Sequence, residues 1–413
     1  MLSTLALALL LLIPDSPPPA TWWKGNLHTH TLWSDGDDYP EMVADWYKRN
    51  GYHFLALSDH NVLSVGEKWF DLSGTRGRGA VLARYIQRFG EDWVRTRVRN
   101  GKVEVRLRTL SEIKRLFEEP SRFLMIQSEE ISAGHGGKPI HVNATNIQEL
   151  IPPQSGTSIL DTMQKNVDAV NEQRRRTGVP MFPHINHPNF MWAITAEELM
   201  QLEGEKFFEV YNGHPAVHNY GDATHAGMER VWDIILTKRL AELKKGVMYG
   251  VAVDDAHNYH ESHLTKANPG RGWVMVHAPR LSAKDIVRAM EDGDFYASSG
   301  VVLNRTRFDG RTLSIDVRPE KGVTYTTFFI GTRRGYDPTA KPVLGPNGEP
   351  LGVTMQYSSD IGRVLATVEG PSPSYRFRGD EIYVRARVVS SKPKSNPYSE
   401  GETEVAWVQP VVR

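Results

Sequence analysis

Six short segments of the sequence concentrate histidine and carboxylate side chains, the types that bind divalent metal ions without thiolates. Each segment directly follows an apolar run of strand length. The carboxyl ends of the strands in a β/α barrel lie on one face, so side chains from distant segments would meet there. The candidates are NLHTHTLWSDG with His28, His30 and Asp35; LSDHN with Asp59 and His60; SEEIS with Glu129 and Glu130; IHVN with His141; INHPN with His187; and VDDAH with Asp254, Asp255 and His257. Together they predict a centre of several divalent ions.

The spacing within two of these segments supports shared ligation. Residues i and i+2 of a strand project on the same side, so His28 and His30 could bind one ion together, as could Asp255 and His257. A bridging carboxylate can hold two ions near the separation that two-metal catalysis uses. One HxH pair is a weak signal on its own, because most single histidines are structural. Six such segments at predicted strand ends favour the metal centre.

Further polar residues near the strand ends are candidates for supporting roles. We expect Asp59 to accept a hydrogen bond from a ligating imidazole rather than to bind metal. His184 and His214, with Glu209 and Asn212, could orient ligands or donate a proton to the leaving group. Ordinary hydrogen bonding in the core or in a loop is an equal alternative for each of them.

Composition narrows the choice of metal and partner. The 413 residues include no cysteine, so disulfides and thiolate sites are excluded. Imidazole and carboxylate ligands leave Zn, Mn or Fe as candidate ions, and we expect two or three of them. Lys+Arg and Asp+Glu both total 49, so the overall charge gives no reason to expect nucleic acid as a partner.

Residues 1–20 predict a signal peptide. The apolar run over residues 5–13 is too short to span a bilayer, and a proline-rich stretch leads to a plausible cleavage site near Ala20. No Lys or Arg precedes the run, so a buried amino-terminal helix is the alternative. The expectation is a secreted or periplasmic protein without a transmembrane anchor.

From Trp22 onward, apolar runs alternate with segments of helical periodicity, which is typical of strands joined by crossover helices. The runs lie at 23–27, 54–57, 123–126, 181–185, 207–211, 247–253 and 273–276, with 140–142 as a shorter one. Seven or eight strands favour a closed barrel over an open sheet, so the predicted fold class is α/β with a TIM-like barrel over residues 21–300. Helix signals include Pro40, the Thr195 and Glu198 capping box, and Ser282.

Two regions differ from this pattern. Residues from about 64 to 120 exceed an ordinary crossover and predict a helical insertion, with ten Arg or Lys against three Asp or Glu between Gly74 and Arg108. This basic segment could attract an anionic substrate or a membrane surface, or could simply be a solvated face. Over 301–413, apolar residues alternate with period two between Asp-Gly and Asn-Gly turn signals, which predicts a separate β-rich, sandwich-like domain.

The ordered motifs HTH with SDG, SDH, EEIS, HVN, NHP and DDAH resemble those of the PHP (polymerase and histidinol phosphatase) metallohydrolases over most of residues 22–300. The segments WWKGNLHTHTLWSDGDDYPEM, FFEVYNGHP and GDFYASSG are more similar to the secreted carbaryl-hydrolase (CehA/McbA-type) branch. The resemblance implies a distorted seven-stranded barrel with a trinuclear centre. It would assign His28, His30, Glu130 and Asp255 to one ion, Asp35, His60 and His257 to a second, and His141 and His187 to a third, with Glu130 as the bridge. Glu129 could replace Glu130, and histidine stands at the Asp35 position in some relatives.

The expected reaction is hydrolysis of a small-molecule ester by water activated on the clustered ions. Phosphoesters, including diesters, are the leading substrate class, and aryl esters or carbamates are the close alternative. The ligand motifs contain no Arg or Lys to clamp a phosphate, although Lys138, Arg271 or the basic insertion could supply one. A protein that binds metal or ligand without turnover is the alternative from another class. The chain could also form oligomers.

Overall fold

The computed structural model describes residues 19–74 and 76–413. The predicted signal peptide therefore lies outside the described residues, apart from Pro19 and Ala20. No helix of the described part combines the length and apolarity needed to cross a bilayer. The described residues form a mixed α/β fold with one large sheet and three small ones, which confirms the α/β part of the predicted class.

Strands and helices of the described residues are numbered in chain order. The strands are β1 (Thr21–Asn26), β2 (Phe54–Leu57), β3 (Lys68–Asp71), β4 (Thr96–Arg99), β5 (Lys102–Leu107), β6 (Leu124–His135), β7 (Lys138–Thr145), β8 (Phe182–Ile185), β9 (Phe207–Asn212), β10 (Tyr249–Val253), β11 (Trp273–Ala278), β12 (Phe295–Ser298), β13 (Leu303–Phe308), β14 (Thr312–Val317), β15 (Tyr325–Arg333), β16 (Ala340–Lys341), β17 (Gln356–Tyr357), β18 (Arg363–Glu369), β19 (Ser374–Arg376), β20 (Glu381–Pro393) and β21 (Thr403–Val411). The helices are α1 (Pro40–Arg49), α2 (Ala80–Phe89), α3 (Leu110–Phe117), α4 (Ile159–Thr177), α5 (Ala196–Leu199), α6 (Met228–Ala241) and α7 (Ala283–Glu291).

The large sheet has thirteen strands in the order β10-β9-β8-β7-β6-β2-β1-β11-β12-β21-β20-β15-β18. Every apolar run predicted from the sequence forms a strand of this sheet. Strands β2, β8 and β9 are buried along their whole length, which explains why they read as continuous apolar runs rather than alternating ones. The seven-stranded barrel itself stays a prediction.

Strand direction differs from the all-parallel pattern assumed for the predicted barrel. β1, β2 and β6 are mutually parallel, as are β8, β9 and β10. β7 is antiparallel to both of its neighbours, and β11 is antiparallel to β1. The reason for the first reversal is local: β6 and β7 form a hairpin whose turn is Gly136-Gly137, both at positive φ. This turn leaves no room for a crossover helix.

Helix boundaries follow the predicted signals. Pro40 is the first residue of α1, and Thr195 with Glu198 forms a complete capping box at α5. Ser282 caps α7 by accepting a hydrogen bond from the backbone N–H of Asp285. Helix α4 is followed by Gly178 in the left-handed conformation, and its last turn carries three arginines that suit the negative end of the helix dipole.

The insertion is not purely helical, contrary to the prediction. It contains α2 and α3 together with a three-stranded antiparallel sheet of order β3-β5-β4. The missed signal is the dipeptide Asn100-Gly101, whose residues both have positive φ and join β4 to β5 as a tight hairpin. Five of its ten cations between Gly74 and Arg108 pair with carboxylates of the insertion or of α1, as Arg97 does with Glu104 and Arg88 with Asp45. Both alternatives for this segment, a solvated face or a surface that attracts anions, stay predictions.

Residues after 300 are rich in strands, as the period-two pattern predicts. Some of these strands form small separate sheets, but others continue the large sheet: β12 pairs with β21, and β20, β15 and β18 follow in order. A buried ion pair adds a second link, since Arg385 on β20 donates two hydrogen bonds to Asp233 on α6. The domain boundary at 300 stays a prediction.

Candidate metal centre

The HTH segment lies beside the segment that follows β10. The backbone N–H of His30 donates to the carbonyl of Ala256 at 3.0 Å, and that of Asp255 donates to the carbonyl of His28 at 3.1 Å. This pairing brings two distant motifs together. The Nε2 atoms of His28 and His30 lie 3.3 and 3.2 Å from Oδ1 of Asp255.

Glu130, from the middle of β6, completes this first group. Its Oε2 lies 3.4 Å from His28 Nε2 and 3.3 Å from His30 Nε2. All three atoms are buried and make no hydrogen bond of suitable geometry with the described residues, although His60 Nδ1 lies 2.8 Å from Glu130 Oε2. Ligand atoms about 2.1 Å from a tetrahedral ion lie about 3.4 Å from one another, so the measured spacing fits a single cation. A cation would also satisfy polar atoms whose burial is otherwise costly.

A second group forms around Asp35. Its two carboxylate oxygens lie 3.5 Å from His60 Nε2 and 3.4 Å from His257 Nε2, and His30 lies close enough to share this group. The Asp35 side chain is half exposed, whereas the first group is buried. A second ion would therefore bind nearer to solvent.

A third group uses the other oxygen of Glu130. Its Oε1 lies 2.9 Å from His141 Nδ1 and 3.2 Å from His187 Nε2, and it accepts a hydrogen bond from Asn186 Nδ2 at 2.8 Å. Glu130 thus contacts side chains of all three groups. All nine predicted metal ligands lie in this one cluster.

Hydrogen bonds on the far side of three rings leave Nε2 free to bind metal. His28 Nδ1 pairs with Glu209 Oε1 at 2.6 Å, His60 Nδ1 with Ser132 Oγ at 2.5 Å, and His257 Nδ1 with the carbonyl of Asp255 at 2.9 Å. Such a partner on Nδ1 fixes the tautomer and orients the ring of a metal-binding histidine.

Strand geometry decides between Glu129 and Glu130. Adjacent residues of β6 project to opposite faces of the sheet, and only Glu130 reaches the cluster. Glu129 accepts a hydrogen bond from the backbone N–H of Ile151 at 2.7 Å. Burial raises the pKa of Glu129 to about 8, so this carboxyl holds its proton near neutral pH. Asp254 likewise faces away, accepting hydrogen bonds from Tyr47 and from the backbone of Arg271 and Gly272.

Asp59 acts on a turn rather than on an imidazole, which differs from the prediction. Its carboxylate accepts hydrogen bonds from the backbone N–H and the hydroxyl of both Thr31 and Ser34. The turn that it holds carries Asp35. The next residue must be glycine, because a Cβ at Gly36 would lie 2.7 Å from the backbone of His30.

His184 and His214 have different surroundings. His184 is fully buried and lies 3.3 Å from Glu209 Oε1, so it supports the carboxylate that orients His28 and does not line the cavity. His214 lines the cavity, and its Nδ1 accepts a hydrogen bond from the backbone N–H of Ala216 at 3.1 Å. Burial lowers the pKa of His214 to about 4, so its neutral ring carries a proton on Nε2.

The electrostatics of the cluster favour cations. Burial opposes charge on His28, but the carboxylates of Asp255, Glu130 and Glu209 raise its pKa well above the ordinary value. Burial also opposes charge on Glu130, whose pKa nearby imidazoles hold well below normal. The negative potential of these carboxylates, which favours a protonated imidazole, also favours a bound metal cation.

A cavity of about 150 Å³ opens onto the cluster. Its lining comprises Asp35, His60, Glu130, His141, His187, Phe190, His214, Asp255 and His257, with no Arg or Lys. Arg271, proposed from the sequence as a phosphate clamp, instead donates to the carbonyls of Gly213, His263 and Lys266. Lys138 donates to the carbonyl of Trp192. Neither cation lines the cavity.

Sequence reasoning missed several contributors. Phe190 forms the apolar part of the cavity wall, and Asn186 and Ser132 hydrogen-bond to ligands. Asn186 sits inside the INHPN motif and could have been suspected from its neighbours. His187 and Asp255 have φ of 24° and 50°, a region that is costly for residues with side chains and is concentrated at functional sites. No residue type predicts those backbone angles.

Comparisons with known proteins give distant likenesses only. No family model matches the chain, and neither does any curated protein. One similar solved structure is a two-domain protein from Bacteroides vulgatus that contains a PHP-like metal-dependent phosphoesterase assigned by prediction. It is 15% identical, with a TM-score of 0.37, over 95% of this chain and 97% of that one.

Two further solved structures match part of the chain. A protein from Bifidobacterium adolescentis, described as a metal-dependent phosphoesterase, is 12% identical with a TM-score of 0.30 over 58% of this chain and 89% of its own. An amidohydrolase from Chromobacterium violaceum is 11% identical with a TM-score of 0.28 over 57% and 87%. At such scores none of these likenesses establishes an activity for this chain.

Proposed function

We propose that the protein is a metal-dependent hydrolase of small-molecule esters, with phosphoesters, including diesters, as the leading substrate class. The observation that carries the proposal is the convergence of three buried ligand atoms, His28 Nε2, His30 Nε2 and Glu130 Oε2, of which the two imidazole nitrogens have no hydrogen-bond partner among the described residues. Their spacing fits a cation, and two further groups share Glu130 or His30. Zn, Mn or Fe suit this donor set.

Bound divalent ions would activate water and stabilise the negative charge that develops on the substrate. The protein's own residues would do the rest. Glu209, Ser132 and the carbonyl of Asp255 hold three imidazoles in ligating orientation. His214, with a proton on Nε2 at the cavity wall, is placed to donate a hydrogen bond to the reacting group.

An aryl ester or carbamate is the second candidate substrate, and a specific observation favours it. The cavity lining contains Phe190 and no cation, whereas a dianionic phosphate monoester is normally clamped by Arg or Lys. Among phosphoesters, the same observation favours the singly charged diesters.

The test is a substrate panel on the metal-loaded protein. Chelator-treated protein would be reconstituted with Mn²⁺ or Zn²⁺ and assayed on a bis-aryl phosphate, an aryl phosphate, an aryl acetate and an aryl methylcarbamate. Hydrolysis of the phosphates that chelator abolishes supports the leading class. Activity on only the last two substrates would move the proposal to the second candidate, and a metal-loaded protein inactive on all four would favour metal binding without turnover.

We also propose that residues 1–20 direct export and are removed. Expression of the full chain in a bacterial host, followed by amino-terminal sequencing of periplasmic protein, tests this. A new terminus near Thr21 supports export, and an intact Met1 on cytoplasmic protein contradicts it.

A further inference from the structure

The insertion contacts the turn that carries Asp35, here called the ligand turn and defined as residues 31–37. Arg76 Nη1 donates to the carbonyl of Ser34 at 3.0 Å and to the carbonyl of Gly36 at 3.3 Å. These two carbonyls lie on either side of Asp35 in the chain. A single guanidinium therefore hydrogen-bonds to the backbone on both sides of Asp35.

Other hydrogen bonds also join the insertion to the ligand turn and to the residues just after it. Lys68 Nζ donates to the carbonyl of Trp33, and the indole N–H of Trp33 donates to the carbonyl of Arg108 at 2.9 Å. Just beyond the turn, the Tyr39 hydroxyl donates to the carbonyl of Gly77 at 2.5 Å. Lys68 and Arg76 of the insertion donate to backbone carbonyls of the ligand turn, whereas carbonyls of the insertion accept from Trp33 and Tyr39.

Asp35 depends on such support more than the other carboxylate ligands. Glu130 lies within a long strand, and Asp255 is buried and held by backbone pairing with His28. Asp35 belongs to no strand or helix, and its side chain is half exposed. Its backbone is held by the ligand turn, which Asp59 contacts from one side and Arg76 from the other.

We infer that Arg76 is a positioning residue for the second metal subsite, formed by Asp35, His60 and His257. The inference rests on the proposed metal-dependent function and deepens it. Arg76 suits this role because Nη1 alone donates to both carbonyls, and its guanidinium carbon lies 5.6 Å from the centre of the Phe70 ring, a cation–π contact that helps to hold it. On this basis the insertion is a scaffold for one ion of the centre.

The experiment measures metal binding directly, without turnover. Metal-free wild-type protein and the variants Arg76→Ala, Arg76→Lys and Asp35→Ala would be titrated with Mn²⁺ and with Zn²⁺ by calorimetry, with bound metal counted by elemental analysis. The matched control is Arg97→Ala, which removes another arginine of the insertion, one that pairs with Glu104 away from the ligand turn.

We expect Arg76→Ala to weaken one ion by about 10- to 100-fold, the usual cost of losing a residue that supports a ligand, while the remaining ions bind as in wild type. Asp35→Ala should affect the same ion, Arg76→Lys should be intermediate, and Arg97→Ala should match wild type. Circular dichroism of the metal-free variants checks that they fold.

The outcomes separate the two proposals. If wild-type protein binds no metal, the proposed function fails. If wild type binds several ions and Arg76→Ala binds all of them with unchanged affinity, only the positioning role fails. If Arg97→Ala weakens the same ion as Arg76→Ala, the effect belongs to the fold of the insertion and the specific role of Arg76 is overturned.

Discussion

Replacing Glu130 with glutamine should remove most of the stabilisation that metal ions give to the fold. The substitution keeps the size of the side chain and removes a negative charge that contacts side chains of all three ligand groups. Glu130 Oε2 and Oε1 lie within 3.4 Å of His28, His30, His60, His141 and His187. Losing this carboxylate should therefore weaken more than one ion.

The magnitude follows from linkage between binding and folding. An ion present at about 100 times its dissociation constant stabilises the folded state by about 2.7 kcal/mol. The entropy of unfolding is about 2.1 cal/mol/K per residue, or about 0.9 kcal/mol/K for this chain, so each ion should raise Tm by about 3 °C. If affinity falls about 100-fold, the same concentration equals the new dissociation constant, and the gain drops to about 0.4 kcal/mol, or about 0.5 °C.

The assay is thermal unfolding of chelator-treated protein with and without added Mn²⁺ or Zn²⁺. The measured quantity is the metal-induced rise in Tm, which removes any effect of the substitution on the metal-free fold. Glu129→Gln is the matched control, because Glu129 is the adjacent buried glutamate and contacts Ile151 instead of the cluster. The reasoning is refuted if Glu130→Gln keeps the full metal-induced rise, or if Glu129→Gln loses it to the same extent.

Three other predictions test different parts of the molecule. His30→Ala should abolish both bound metal and hydrolysis, since His30 lies in two ligand groups; elemental analysis showing full occupancy would contradict this. Burial lowers the pKa of Lys394 to about 8, so between that pH and the ordinary lysine value the unfolded chain binds more protons than the folded chain. The stability of wild type relative to Lys394→Met should therefore rise with pH across this window in urea unfolding, and a flat difference would count against it. Arg385→Met should cost about 3–5 kcal/mol in the same assay by leaving the buried carboxylate of Asp233 uncompensated, and a loss below about 1 kcal/mol would argue against a structural link between β20 and α6.

The sequence predicts the strands and the ligand cluster well because both depend on local pattern. A short buried run such as Phe54–Leu57 is typical of a strand in a covered sheet, and a motif that follows it is expected near its end. Glu130 departs from this expectation because β6 continues to His135. The direction of β7 could not be predicted in this way. His141 lies within a short apolar run whose pattern fits either strand direction, and the Gly136-Gly137 turn distinguishes a hairpin from a crossover.

Supporting residues were harder to predict than ligands because their partners are distant in sequence. Asp59 was expected to hold an imidazole, yet it binds the backbone of Thr31 and Ser34, which no spacing rule indicates. Arg271 was a candidate phosphate clamp by residue type alone, but its buried guanidinium donates hydrogen bonds to backbone carbonyls instead. Residue types thus identify groups able to bind metal, while the groups that orient them depend on tertiary contacts.

The β6–β7 hairpin makes the chemistry of the centre sensitive to a turn that contains none of its ligands. Pairing of Ser132 with His141 fixes which side of the sheet Glu130 and His141 face, and the pairing is set by Gly136 and Gly137 at φ of 58° and 80°. A slip of one residue would turn one of those ligands toward the opposite side. A change in the length of this turn would therefore disturb the metal centre even if every ligand residue were kept.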